Sequence, residues 1–184
     1  MPIAESLKIT AEEYRAMPED GRRYQLIDGE LFMAPAPYRD HQDVSRNLGF
    51  ILLKHLEKHA AGVLYFAPLD VYLSEHNVVQ PDLLYVSRER TSILTDLGAE
   101  GSPDFVVEIL SPRTAKLDRA SKRKLYAAHG VNELWLVEPR KKTIEIFRLQ
   151  DDAEKPVKVH SANSIVTSPT FPGLKFRAAE IFRG

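Results

Sequence analysis

Two apolar segments of this sequence each carry a carboxylate, and together they limit the folds that the chain can adopt. Asp82 opens the apolar segment 82–86 directly after Pro81, and Glu108 lies inside the near-continuous apolar segment 104–110. Short apolar runs of this kind indicate buried strands. An ionised carboxylate in such a strand loses hydration, so it must be neutralised, paired or bound to a cation. The sequence therefore predicts a charged site where two neighbouring strands end.

The order of the segments around Glu108 predicts an α/β fold. Strand 104–110, a helix over 114–129 and strand 133–137 form a strand–helix–strand unit. Within one sheet, this unit implies parallel strands and a right-handed crossover whose helix packs on a face of the sheet. The alternating segment 143–147 then predicts an antiparallel strand at the edge of the sheet.

The N-terminal half contains clear start and turn signals. Thr10 and Glu13 form a capping box for a short helix, and Asp28-Gly29 predicts a type I′ turn in a hairpin over 23–34. Apolar residues at helical spacing, Ala60 among them, predict a long helix over 41–61 that Gly62 ends. The remaining expected elements are strands at 63–67, 69–73 and 82–86 and one long loop over 87–103.

Composition indicates a soluble globular protein. The chain has 184 residues, of which 43% are hydrophobic and 28% charged, and we expect one domain over residues 1–184. The absence of cysteine excludes disulfides and a thiolate nucleophile, and fits a reducing, cytoplasmic setting. No signal-peptide pattern and no apolar run of about 18 residues is present, so we expect neither export nor a membrane partner.

Charge is distributed unevenly along the chain. The formal net charge of −1 argues against a protein that coats nucleic acid by bulk electrostatics. Segment 111–124, however, has a single acid, Asp118, against six bases: Arg113, Lys116, Arg119, Lys122, Arg123 and Lys124. This run is compatible with a polyanionic substrate and equally with a solvated helix face.

Several motifs, taken together, resemble the PD-(D/E)XK nuclease superfamily. They are similar above all to a large bacterial family of restriction-endonuclease-like proteins. The segments that carry the resemblance are 24–31, 41–42, 80–82, 107–112, 118–126 and 133–139. The resemblance implies a restriction-endonuclease-like fold. This is a mixed central β-sheet flanked by helices, with an N-terminal hairpin and additional C-terminal strands.

The chain departs from the superfamily motif at one position. The motif expects a lysine two residues after the acid, where this chain has Leu110. In the closer family the lysine stands on the next helix, which carries Lys122 and Lys124. At about 100° per residue these two point roughly 160° apart, so only one can face the acids. We choose Lys122, at the margin of an expected buried face formed by Leu117, Ser121, Leu125 and Ala128.

The resemblance implies metal-dependent hydrolysis of a nucleic-acid phosphodiester bond, with DNA as the expected substrate. Asp82, Glu108 and the backbone carbonyl of Ile109 would bind Mg²⁺ or Mn²⁺, which prefer oxygen ligands. Lys122 would orient the attacking water or stabilise the charge that develops on the phosphoryl group. Glu30 is either an outer metal ligand or an exposed strand residue.

Four further residues are candidates for contact with the substrate: Arg119, Arg123, Tyr126 and His41. Each site residue also has a structural alternative. Asp82 could cap a turn, Glu108 could be a buried acid satisfied by an arginine or a tyrosine hydroxyl, and Lys122 could pair with Asp118.

The rival to an enzyme is a catalytically inactive module that keeps the nuclease fold as a homo-oligomeric or nucleic-acid-binding scaffold. A homodimer is expected in either case. The hairpin 23–34 and strand 143–147 offer more apolar strand surface than one small sheet needs to cover.

Overall fold

The computed structural model describes residues 8–59 and 61–184, and most of its strands belong to two six-stranded sheets. The strands, in chain order, are β1 (Arg23–Ile27), β2 (Glu30–Ala34), β3 (Gly62–Phe66), β4 (Val71–Ser74), β5 (Asn77–Val79), β6 (Leu83–Ser87), β7 (Leu94–Thr95), β8 (Gly98–Glu100), β9 (Phe105–Ile109), β10 (Glu133–Glu138), β11 (Thr143–Arg148), β12 (Lys158–Ser161), β13 (Ile165–Val166) and β14 (Phe176–Arg177).

The helices connect and cover these sheets. Helix α1 (Ala11–Arg15) precedes the hairpin, and the long helix α2 (Arg39–His59) follows it. A π-helical segment (Leu117–Lys122) runs directly into helix α3 (Arg123–Ala128). Two short 3₁₀ helices occupy Arg88–Ile93 and Ala178–Glu180. No helix in residues 8–59 or 61–184 is long and apolar enough to cross a membrane.

The central sheet has the order β12-β11-β10-β9-β6-β3, and the N-terminal sheet has the order β2-β1-β5-β4-β8-β7. Strands β9 and β10 are parallel, as the strand–helix–strand unit predicts, and β6 runs antiparallel to β9. Strands β13 and β14 form a separate antiparallel pair.

Both faces of the central sheet are buried, because its strands direct apolar side chains alternately to one face and to the other. Phe105, Val107 and Ile109 of β9 pack toward α2 and the C-terminal segment. Val106 and Leu110 pack on the opposite face, together with α3. Successive side chains of a strand point to opposite faces, so Glu108 belongs to the α3 face. The carboxylate is therefore directed between the sheet and the helix that follows it.

The N-terminal signals are confirmed. Thr10 and Glu13 form the capping box of α1. Asp28 and Gly29 both have positive φ angles, of 53° and 79°, as a type I′ turn requires. The long helix ends at His59, Ala60 lies outside the described residues, and Gly62 is the first residue of β3.

Three expectations about the elements are wrong. The segment predicted as one loop over 87–103 contains a 3₁₀ helix and strands β7 and β8. The segment 143–147 is not an edge strand, because β11 pairs with β10 on one side and with β12 on the other. Ser121 and Ala128 are exposed, whereas Lys122 is buried. The wider π-helical turn rotates these positions away from the phase of an ideal α-helix.

Candidate active site

The register between β6 and β9 brings the two predicted acids to the same place. Leu83 lies opposite Val107 in this antiparallel pair, and one further step of the same register places Asp82 opposite Glu108. Directly opposite residues in such a pair have Cβ atoms roughly 4.5–5.5 Å apart. Asp82 Oδ2 also accepts a hydrogen bond of 2.6 Å from the backbone N–H of Ile109. The Asp82 carboxylate is thus fixed at the end of β9.

Two neighbouring contacts hold the chain that carries Asp82. The backbone carbonyl of Asp82 accepts a 3.0 Å hydrogen bond from the N–H of Ala67. Before it, the N–H of Gln80 donates to the side-chain oxygen of Gln25 in β1 at 3.1 Å. The segment 80–82 is therefore tied to both sheets, which restricts the position of Asp82.

Lys122 reaches Glu108 from the π-helical segment. Its ammonium donates to both carboxylate oxygens of Glu108 at 3.0 Å, and both side chains are almost completely buried. Lys124 is exposed. The structure thus places Lys122, and not Lys124, against the acids.

Asp118 is a further member of the site whose place in the cleft the sequence analysis missed. Its carboxylate lies 3.3 Å from the ammonium of Lys122, and it is buried to the same extent as Glu108. The sequence signal is the four-residue spacing between Asp118 and Lys122, which predicts an i, i+4 ion pair and not a place in the site. The π-helical segment carries both residues, and it turns both toward the sheet.

Tyr126 and His41 bind the acids of the site directly. The hydroxyl of buried Tyr126 donates to Glu108 Oε1 at 2.5 Å, so its contact is with the protein carboxylate. His41, near the start of α2, has Nε2 3.1 Å from Asp82 Oδ1, while its buried Nδ1 has no hydrogen-bond partner among the described residues. Both residues thus help to position the two carboxylates.

These groups surround a small cleft with a volume of about 110 Å³. It lies between the N-terminal sheet, the start of α2, the ends of β6 and β9, and the π-helical segment. Its charged lining consists of Arg23, His41, Asp82, Glu108, Asp118 and Lys122. Polar lining is supplied by Ser111, Thr114, Gln25 and Gln80 among others. The cleft therefore brings together all three residues predicted to be catalytic.

Burial and mutual repulsion oppose the charges in this cluster. Burial raises the pKa of Glu108, and the charges of Asp118 and Asp82 raise it further, while Lys122 opposes this rise. Burial lowers the pKa of Lys122, but the three carboxylates outweigh burial and leave it above its usual value. Lys122 is therefore held as a cation.

The pKa of His41 is also raised. Burial lowers it, and the hydrogen bond and charge of Asp82, together with the charge of Asp118, more than compensate. The three carboxylates thus favour the charged forms of Lys122 and His41, and Arg23 adds a further cation to the lining of the cleft.

The donor chemistry of the cleft fits a hard divalent cation. Asp82, directly before β6, and Glu108 in β9 offer carboxylate oxygens to the same cleft, which Ile109 also lines. Oxygen ligands of this kind are those that Mg²⁺ and Mn²⁺ prefer. Within residues 8–59 and 61–184 no three His, Asp or Glu side chains are already arranged as a ligand set for a metal ion. A bound cation would contact the same Glu108 carboxylate that accepts hydrogen bonds from Lys122.

The other predicted contacts lie elsewhere. Arg119 binds the carboxylates of Glu145 at 2.8 Å and Glu138 at 2.7 Å, and it does not line the cleft. Arg123 binds Glu154 at 2.9 Å and the carbonyl of Ala153. These arginines join the helix to neighbouring strands and loops. They were expected to contact substrate, but in this structure each guanidinium is already bound by the protein.

Glu30 also lies outside the cleft. It is exposed at the start of β2, directly after the Asp28-Gly29 turn. Its position matches the structural alternative, an exposed strand residue, and it does not join the cluster of acids.

Comparison with known proteins connects this geometry to a family. The family model Uma2, described as "Putative restriction endonuclease", matches residues 11–179. A protein of Synechocystis sp., described as uncharacterised, is 26% identical over 192 residues, covering 100% of this chain and 96% of the relative.

A solved structure shares the fold. The crystal structure of a "putative nuclease belonging to DUF820" from Anabaena variabilis superposes with a TM-score of 0.79 at 19% sequence identity. The match covers 95% of this chain and 97% of the other. It confirms the α/β fold class that the sequence predicts.

Proposed function

Because this chain belongs to the Uma2 family of restriction-endonuclease-like proteins, we propose that it is a metal-dependent endonuclease that hydrolyses phosphodiester bonds of DNA. One observation carries the proposal. Asp82, directly before β6, and Glu108 near the end of β9 line one cleft, and the ammonium of Lys122 is 3.0 Å from both Glu108 oxygens. Two acids and a lysine in one cleft are the groups that this hydrolysis needs.

Asp82, Glu108 and the carbonyl of Ile109 would hold Mg²⁺ or Mn²⁺ in this cleft. The cation would polarise a phosphoryl oxygen and lower the pKa of a bound water. Asp82 is ready for this role because the N–H of Ile109 and the imidazole of His41 fix its orientation. Pre-oriented ligands avoid the cost of ordering them when the cation binds.

Lys122 supplies the fixed positive charge. In hydrolysis the oxygen of water forms a bond to phosphorus, the bond to the leaving oxygen breaks, and the leaving oxygen gains a proton. Lys122 orients the attacking water and stabilises the negative charge that develops on the phosphoryl oxygens. Asp118, 3.3 Å from its ammonium, keeps the lysine charged and directed into the cleft.

A labelled DNA duplex incubated with Mn²⁺ tests the proposal. Asp82→Asn, Glu108→Gln and Lys122→Met should each lower the cleavage rate by about a hundredfold or more, because each removes a group that acts on the transition state. Matched controls are Lys124→Met and Glu57→Gln, which change exposed residues outside the cleft and should cleave like the parent. A parent that leaves the duplex uncut, with Mn²⁺ and again with Mg²⁺, would overturn the proposal.

A second function, a non-catalytic module with the nuclease fold, is favoured by a specific observation. Glu108 is already satisfied inside the protein by Lys122 and Tyr126. Such an ion pair needs no metal. The melting temperature in millimolar Mn²⁺ separates the two functions, because a ligand that binds only the folded state raises it. A parent whose melting temperature ignores Mn²⁺ supports the module.

A further inference from the structure

A second concavity, which we call the α2 groove, runs along the outer flank of α2. Its volume is about 850 Å³, and its walls are α2 from Arg46 to His59 and the C-terminal segment 173–184. Asn47 joins the two walls, because its side-chain amide donates to the backbone carbonyls of Ile181 at 3.2 Å and Arg183 at 2.7 Å. The groove is therefore a built feature of the fold.

Positive charge dominates the α2 groove. Its exposed cations are Arg46, Lys54, Lys58, Lys175 and Arg183. Of these, Arg46 alone forms an ion pair in the part of the chain that the structure describes, with Asp43 at 3.1 Å. The acidic side chain in the lining is Glu180, which accepts a backbone hydrogen bond from Arg177. The whole chain has a net charge of −1, so the excess of cations in the α2 groove is a property of this surface and not of the chain as a whole.

The cations of α2 follow a regular spacing. Arg46, Phe50, Lys54 and Lys58 recur every four residues and form one strip along the helix. At 1.5 Å per residue the strip is roughly 18 Å long, enough for several nucleotides. Phe50 lies between the cations with 65% of its surface exposed. An exposed aromatic ring between cations can stack a base while the cations bind the flanking phosphates.

The start of α2 contributes to both the cleft and the α2 groove, on different sides of the helix, because consecutive helical residues point about 100° apart. Ser45 lines the cleft and the next residue, Arg46, lines the groove. We propose that the α2 groove binds the sugar–phosphate backbone of the nucleic acid away from the bond that the cleft cleaves. The inference rests on the proposed function for the identity of its ligand. It adds a binding surface that lies outside the catalytic cluster.

Binding of a fluorescein-labelled oligonucleotide, measured by anisotropy in EDTA, tests the groove without any cleavage. The groove variant Lys54→Gln/Lys58→Gln/Lys175→Gln should bind about tenfold more weakly or worse, and the slope of log K against log salt should become shallower by about 2. The matched control is Lys124→Gln/Lys155→Gln/Lys158→Gln. It removes the same charge from exposed positions outside the groove and should stay within about twofold of the parent.

The outcomes distinguish nucleic-acid binding by the α2 groove from cleavage in the cleft. Equal losses in the two triple variants would show bulk electrostatics only and would overturn the groove. A groove variant that changes the mass in light scattering, with unchanged oligonucleotide affinity, would make the groove a contact between copies of the chain and overturn it as well. If the groove variant alone loses affinity while the parent cleaves no DNA, the result would support the groove and contradict the proposed function.

Discussion

Glu108 shows how single residues make this site. The residue is 2% exposed and lies on a strand whose neighbouring residues are apolar, so its ionised form depends on Lys122 and Tyr126. The sequence could identify Glu108 and Asp82 because acids inside apolar runs are unusual. It could not predict that His41 binds Asp82, because 41 residues separate them and no local pattern encodes the contact.

Removing the charge of Lys122 should destabilise the fold, because the buried acid Glu108 loses the cation that offsets its burial. We expect Lys122→Met to lower the free energy of unfolding by about 3–5 kcal/mol, because Glu108 is then buried without its cation. The double variant Glu108→Gln/Lys122→Met should recover part of this loss, since Glu108 is then neutral while buried Asp118 still lacks its cation. Urea unfolding in EDTA measures the two single variants, Lys122→Met and Glu108→Gln, and the double variant. Losses in the double variant that equal the sum of the two single losses would contradict the pairing.

The π-helical segment is the element that assembles the cluster. A periodicity of 3.6 residues predicted the helix over 114–129 and the choice of Lys122, but it also predicted buried Ser121 and Ala128, which are exposed. No local pattern of apolar residues encodes a switch from i→i+4 to i→i+5 hydrogen bonds. That switch depends on packing against the sheet, and it occurs often at functional sites. The buried face was therefore predicted only in part.

The start of β3 offers a test at the level of an element. Gly62 has a φ of 153°, and a Cβ there would lie 2.3 Å from the backbone carbonyl oxygen of Val86. Gly62→Ala should lower the free energy of unfolding by more than about 2 kcal/mol, because both the backbone conformation and the β3–β6 pairing oppose a side chain.

The control for this change is Gly21→Ala. Gly21 also has a positive φ, of 77°, but a Cβ there would meet no atom within 4 Å. It should cost only the backbone strain, about 1 kcal/mol. Thermal or urea unfolding of the two variants compares them directly, and equal costs would contradict the steric account of β3.

At the scale of the whole molecule, the sequence predicted the parallel β9–β10 unit, the hairpin and the fold class. Division of the strands into two sheets was not predictable, because it depends on long-range pairs such as β1 with β5 and β4 with β8. The sequence also placed strand 143–147 at an edge, which β12 in fact covers. Because β12 covers this strand, it no longer supports the expected homodimer, which was based on the hairpin 23–34 and on strand 143–147.

The hairpin 23–34 still supports a homodimer. Strand β2 ends the N-terminal sheet, and its Met33 is 60% exposed. We still predict a two-fold homodimer, now through β2, that buries roughly 1,200 Å² or more. Light scattering at micromolar concentration should give twice the chain mass of 20.9 kDa. Met33→Lys should shift the particle toward the monomer, and a parent of 20.9 kDa would contradict the dimer.

The central claim is that the cleft between β6, β9 and the π-helical segment is a cation-dependent hydrolytic site. A crystal soaked in Mn²⁺ and measured at the manganese absorption edge tests it most directly. We predict one anomalous peak within about 2.3 Å of a carboxylate oxygen of Asp82 and of Glu108, with the carbonyl of Ile109 as a further ligand. A map without a peak there, in which Lys122 keeps both Glu108 oxygens, would contradict the claim.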